Sequence, residues 1–231
     1  MGNDIFLALH IPEHITEVLR MLPKATGQTI YMTVVSTFFA CVLGLPLGVW
    51  LYYASPTGLK PQIVSYNALS RIVNLFRSFP FIILMIVLMP LSRLIIHTSI
   101  GPTAVIIPLS IAAAPFVARI VEPALAEVNG GVVLAARAMG STDFQIIYKV
   151  LLPEALPALV SGLTLTMINI IGYSAMAGAI GGEGLGDLAI RYGYYRFRLD
   201  VTIGAVIVIL GLVELVQALG DFANRRLLAK R

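Results

Sequence analysis

Hydrophobic residues recur along this chain in five long blocks, and one block of mixed character separates the third from the fourth. Positions 28–59 carry no charged side chain. A helix needs about 20 such residues to cross a bilayer, which places the first span at 26–53. Gly44, Pro46 and Gly48 interrupt it, as membrane helices tolerate when neighbours re-satisfy the backbone. Trp50, Tyr52 and Tyr53 form an interfacial belt at its end, and Ser55-Pro56-Thr57-Gly58 reads as a turn. The second span is placed at 70–91, with Arg71 and Arg77 in its first turns and Pro80 and Pro90 bracketing an apolar run. The third, 101–121, holds Pro108, Pro115 and an alanine-rich patch at 110–115 that permits close helix approach. The fourth, 157–180, carries Thr164, Thr166, Asn169, Tyr173 and Ser174, and the fifth is 201–220. The expected fold is all-α: a single polytopic membrane domain over residues 1–231, with five transmembrane helices and an insert at 122–156.

The insert is most amphipathic from Leu134 to Pro153, LAARAMGSTDFQIIYKVLLP. Ala135 to Ala138 can form a short helix, and Gly140-Ser141 can end it and cap the next. Phe144, Ile147, Tyr148 and Leu151 then fall at helical spacing on one apolar face. Pro153 and Pro157 fix how the chain enters the fourth span. Between the last two spans lies a polar connection, 181–200. Its Gly182, Gly184 and Gly186 point to tight turns or close packing, and Tyr192, Tyr194 and Tyr195 form an interfacial girdle or part of a receptor footprint. At the N-terminus, Ile11, Ile15, Val18, Leu19 and Leu22 recur at helical spacing with Pro12 in a first turn. A short interfacial amphipathic helix and a partly ordered leader fit that stretch equally; it does not read as a cleaved signal peptide.

Composition supports the membrane reading. Hydrophobic residues make up 58% and charged residues 12%, about half the charged fraction of soluble domains, and the mean hydropathy is +0.89. The net charge of +4 needs no nucleic-acid partner, because basic residues flanking spans on the cytoplasmic side account for it. With the C-terminus inside, ten of the 16 basic residues are cytoplasmic: Lys60, Arg71, Arg77, Arg119, Arg137, Lys149, Arg225, Arg226, Lys230 and Arg231. This orientation puts the insert in the cytoplasm. The single cysteine, Cys41, cannot form an intramolecular disulfide. His10, His14 and His97 are scattered and make no metal site. The one span carboxylate, Glu214, lies toward a helix end, which counts against an ion-coupled carrier. No Gly-rich loop ending in Gly-Lys-Ser/Thr is present, so the chain holds no nucleotide by a P-loop.

Leu134-Ala135-Ala136, Gly140, Val150 and Leu152-Pro153 resemble the conserved cytoplasmic loop of bacterial ATP-binding-cassette importer permeases. Every spacing fits. Leu134 stands where that family often has glutamate, and Val150 stands for isoleucine. Asn74 to Phe81, Tyr173 to Gly178, and Gly181 to Asp187 resemble the methionine-transporter permease branch, with Glu183 where another glycine is expected.

The resemblance implies a homodimeric permease subunit in the bacterial inner membrane, C-terminus cytoplasmic, importing D- and L-methionine. Another small amino acid or solute is the alternative within the class. It implies that ATP is hydrolysed by two copies of a separate ATPase subunit, with no enzymatic activity or cofactor on this chain. A periplasmic or lipoprotein methionine-binding protein would dock outside. Ala135, Ala136, Gly140, Phe144, Tyr148, Leu152 and Pro153 would couple to the ATPase. Asn169, Tyr173, Ser174 and Met176 are the pore-lining candidates.

Overall fold

The computed structural model describes residues 13–229, and side chains from residue 16 onward. Ile11, Pro12, His10, the side chains of His14 and Ile15, and the basic Lys230 and Arg231 lie outside the described residues. Every regular element among the described residues is helical.

Helix α1, Glu13–Ala54, has 42 residues and is about 63 Å long at 1.5 Å per residue. The expected short N-terminal helix and the first span are therefore one rod from residue 13 on, because no helix stop separates them. Gly44 and Gly48 do not break it. They form its crossing with α4, Pro102–Ala126. A Cβ on Gly44 would stand 2.5 Å from the Ala114 carbonyl oxygen, and one on Gly48 would stand 2.7 Å from that of Ala118. Two glycines one turn apart let the backbones meet, which is how apolar helices gain contact in lipid. The alanine-rich patch of α4 supplies the other side, as its composition led one to expect. Helix α4 is the centre of the fold, with 67% of its most apolar window buried, against 11% for the last helix.

The second expected span is not straight. It consists of α2, Ile63–Ser78, and α3, Phe81–Ile96, bent by 104° at the break between them. Pro80 causes the break. It has no N–H to continue the ladder, and it drives the preceding Phe79 to extended angles, φ −74° and ψ 130°. Four described helical segments are individually long and apolar enough to cross a membrane, and the bent pair meets the same criterion only when its two helices are taken together. Helix α2 is pinned to α4 by Arg119, which pairs with Glu122 at 2.7 Å and donates to Ser70 Oγ at 2.5 Å and Asn74 Oδ1 at 2.9 Å.

Two short helices follow, α5, Gly130–Ala138, and α6, Asp143–Ile146. A π-helical stretch, Ile147–Leu151, leads without a stop into α7, Leu152–Ala177. The helix thus begins at 143, well before the expected 157. Pro153 explains the widened turn: its ring clashes with the carbonyl four residues back, and i→i+5 bonding moves that carbonyl away. Leu152 N–H accordingly donates to Ile147 O.

A 3-10 turn, Gly178–Ile180, then α8, Gly184–Leu188, a second π stretch, Ala189–Tyr194, and α9, Leu199–Leu228, complete the chain. Gly184 adopts φ +83°, and a Cβ on Gly186 would collide with Ala175 O. The glycines here serve both the turn and the close packing expected of them. Thr29 Oγ1 and Gln28 Oε1 of α1 accept from Leu185 N at 3.0 Å and Gly184 N at 3.2 Å. Arg198, ahead of α9, bonds Asp200 at 2.8 Å and Glu17 of α1 at 2.5 Å; these carboxylates hold its guanidinium above its ordinary value.

Glu183 occupies φ +58°, ψ −164°, a region that glycine alone adopts freely and that costs other residues about 1–3 kcal/mol. Its carboxylate accepts from Gln28 Nε2, and a bond to a charged group is worth about 1.5–3 kcal/mol. Glycine at 183 should therefore be near neutral, because relief of strain offsets the lost bond. Alanine keeps the strain and loses the bond. We expect Glu183→Ala to lower the melting temperature of the purified protein and Glu183→Gly to leave it within error; equal melting points would contradict this balance.

Candidate functional site

The polar insert owes its shape to consecutive stop and start signals. Asn129 caps α5, its side chain accepting from Gly131 N at 2.8 Å. At the other end Gly140 takes φ +82°. Gly140 N donates to Arg137 O at 2.9 Å and Ser141 N to Ala136 O at 3.1 Å. These are the two bonds of a Schellman motif, which requires a left-handed residue at the glycine position. Thr142, rather than Ser141, then caps α6. It forms a capping box in which Gln145 N donates to Thr142 Oγ1 at 3.4 Å and Thr142 N to Gln145 Oε1 at 2.9 Å. No free residue separates the two motifs, so the helix–turn–helix corner is stiff.

The expected single apolar face divides in two. Phe144 and Tyr148 point outward, 76% and 65% exposed, with their rings stacked at 6.5 Å and 6°. Leu151 turns inward with Ile146, both fully buried, because the π stretch between them shifts the helical phase. Ala136 is buried at 4% and Ala135 is exposed. Leu152 is half-buried and Pro153 exposed in the first turn of α7. Met139, 80% exposed, extends the outward apolar surface beside Gly140. Exposed aromatic and thioether groups clustered on a rigid corner form a surface suited to another protein.

The second candidate region is a cleft between helices, open where Phe76, Arg77 and Phe79 are exposed. A cavity of about 250 Å³ is lined by Phe76, Arg77, Phe79, Phe81, Leu84, Ala112, Phe116, Asn169 and Tyr173. The Tyr173 ring stacks on Phe81 at 4.3 Å and 9°. Of the four pore candidates, Asn169 and Tyr173 line this cavity. Ser174 is buried, its hydroxyl donating to Ile171 O at 2.7 Å, and Met176 is half-exposed on the outer surface of α7; neither reaches it. Among the described residues no group of three or more His, Cys, Asp or Glu is placed to hold a metal ion.

A family model described as the inner membrane component of binding-protein-dependent transport systems matches residues 44–229, which include both the insert and the cavity. The chain belongs to this family. It is 47% identical over 206 residues to a Vibrio cholerae protein named probable D-methionine transport system permease, with 89% of this chain and 92% of that protein covered. It is 51% identical over 158 residues to the D-methionine transport system permease of Escherichia coli K12, covering 68% and 73%. A solved chain of the MetNI methionine ABC transporter, in an inward-facing conformation, matches with TM-score 0.88 and 45% identity, covering 94% of this chain and 99% of that one. A more distant amino acid ABC transporter structure, 21% identical with TM-score 0.65 over 87% of this chain and 94% of that one, shares the fold.

Within this permease family the departure at Leu134 has a local answer. Leu134 is exposed and makes no polar contact. The corner is instead held by Arg137, whose Nη2 donates to Leu59 O at 2.6 Å and lies 3.6 Å from Asp143 Oδ1. Tyr53 of α1 donates its hydroxyl to Asp143 Oδ2 at 3.2 Å. Sequence reasoning passed over this trio, although opposite charges six residues apart across a Gly turn were a usable signal.

Proposed function

We propose that this chain is the membrane-spanning subunit of an ATP-driven importer that carries methionine, in D and L forms, into the bacterial cell. The observation that supports this most is its 47% identity, over nearly the whole chain, to a relative named for D-methionine transport. In this reading two copies of the chain form the pathway, and two ATPase subunits supply the energy from the cytoplasm. An external binding protein delivers the substrate. The C-terminus and the insert face the cytoplasm. Ala135, Ala136, Gly140, Phe144, Tyr148, Leu152 and Pro153 couple to the ATPase: the outward Phe144 and Tyr148 enter its surface, and Ala136, Gly140 and Pro153 hold the corner that presents them. The π stretch and α7 then carry the displacement of that corner directly to Asn169, Tyr173, Ser174 and Met176, proposed along the pathway. A rigid-body shift needs no relay, because α6 and α7 are one helical body.

The test is reconstitution in proteoliposomes with the cognate ATPase and binding protein. Uptake of labelled methionine is expected only with internal-face ATP, and a hydrolysis-deficient ATPase should reduce it to the leak rate. Methionine uptake without ATP, or ATP-driven uptake of another solute but not methionine, would overturn the reading.

A further inference from the structure

We infer that the cavity between α2, α3, α4 and α7 is a binding station for a zwitterionic amino acid, with Arg77 taking its carboxylate and the surrounding rings its apolar side chain. This goes beyond methionine import and rests on it for the choice of side chain. Three observations lead there. The first is an unfilled set of polar groups. Among the described residues, Arg77, Asn169 and Tyr173 all line the cavity, and none of their side chains makes a hydrogen bond or ion pair. Asn169 and Tyr173 are half-buried and Arg77 is exposed, so a solute can reach the arginine while the amide and the hydroxyl sit within the span, where polar groups find partners or line a polar pathway. Arg119, on α4 nearby, shows the contrast: its two terminal nitrogens are engaged by Glu122, Ser70 and Asn74.

The second observation is the break at Pro80. It brings the C-terminal end of α2 and the N-terminal end of α3 to the cavity, through Arg77 and Phe79 on one side and Phe81, the first residue of α3, on the other. The first carries partial negative charge on its last carbonyls and the second partial positive charge on its first N–H groups. Ile83 N and Leu84 N are satisfied by Pro80 O, which leaves the amides of Phe81 and Ile82 as the available donors. A broken helix offers both signs at one point, and interrupted membrane helices use such ends to hold charged substrate groups. The carboxylate belongs with Arg77 and the α3 N-terminus. The ammonium belongs with the α2 carbonyls, the Asn169 carbonyl oxygen and the Tyr173 hydroxyl.

The third observation is the remaining wall. Phe76, Phe79, Phe81 and Phe116 join Tyr173 around the cavity, and thioether sulfur packs favourably at aromatic edges. The volume of about 250 Å³ is just below the roughly 300–1,000 Å³ of drug-sized ligand sites, which suits one small amino acid.

The experiment uses the intact permease–ATPase assembly in lipid nanodiscs without binding protein, and measures binding of radiolabelled L-methionine. Saturable binding is expected. Methioninamide, which lacks the carboxylate, should compete at least tenfold less well than unlabelled methionine on the wild-type assembly. Arg77→Gln should weaken methionine binding at least tenfold, Arg77→Lys distinctly less, and Phe116→Ala should weaken methionine more than it weakens alanine. ATP hydrolysis within twofold of wild type certifies each variant as assembled. Saturable binding unchanged by Arg77→Gln and competed equally by methioninamide places methionine elsewhere and overturns the inference. So does a wild-type assembly that imports methionine in proteoliposomes yet shows no saturable binding here. An assembly that binds methionine through Arg77 but does not transport it would instead overturn the import reading and uphold the station.

Discussion

Leucine at Gly44 and Gly48 together is expected to prevent assembly of a stable protein. The arithmetic at these sites has two opposing parts. Alanine or leucine gains about 0.8–1 kcal/mol of intrinsic helix propensity over glycine at each position. Against this, a Cβ at Gly44 would lie 2.5 Å from the Ala114 carbonyl oxygen and 2.6 Å from Val117 Cβ, and one at Gly48 2.5 Å from Val121 Cβ. These obstacles are backbone and β-carbons, not flexible side-chain ends, so α1 and α4 must separate. Overpacking a tight contact costs typically about 1–3 kcal/mol per site, and here it strikes the most buried helix of the fold. The net is a loss of a few kcal/mol, and about 1.4 kcal/mol already shifts an equilibrium tenfold. The monodisperse fraction on size-exclusion chromatography should fall at least about tenfold on that scale. Gly211→Ala is the control. Nothing lies within 4 Å of a Cβ there, and its yield should match wild type. Equal behaviour of the two would refute the crossing as the cause.

The second large effect is expected at the insert, and it should spare the fold. Phe144 and Tyr148 are mostly exposed, so Phe144→Ala with Tyr148→Ala removes little internal packing. If these rings seat in the ATPase, methionine uptake should fall at least tenfold while the chain still inserts and purifies. Gly140 gives a graded companion. A Cβ there meets nothing within 4 Å, so any cost is conformational, of order 1–2 kcal/mol for most side chains in the left-handed region. Asparagine tolerates that region and should be the mildest replacement. Uptake should fall in the order Gly140→Asn, Gly140→Ala, Gly140→Val. Wild-type uptake in the ring variant would assign the insert another purpose.

The five apolar blocks were legible because length and composition alone decide them. The break at Pro80 was not. Pro46, Pro108, Pro115 and Pro157 lie in comparable apolar runs and are all carried inside helices. Whether a proline bends or breaks a membrane helix depends on which neighbours re-satisfy the backbone, and that is not written locally. At the insert, Gly140 was legible as a stop. Its cap was misplaced by one residue, although Gln145 three positions after Thr142 favours threonine over Ser141 through the capping box. The face of Leu151 was misread because the phase change comes from the π stretch, and that stretch answers to Pro153, two residues further on. Arg77 was visible only as a charge near a span end; its place at the cavity follows from the 104° bend.

Helix α1 is fastened to the rest of the chain near both of its ends. Through Gln28 and Thr29 it holds the loop at Gly184 and Leu185, and through Tyr53 it holds Asp143 of the insert. Twenty-five residues separate Gln28 from Tyr53, about 38 Å of helix against a hydrocarbon core of about 30 Å. The one proline between them, Pro46, lies between Gly44 and Gly48, where α4 splints the rod from behind. The loop at Gly184 and the insert are therefore fastened to a common strut, and a tilt that begins at either one is shared by the other.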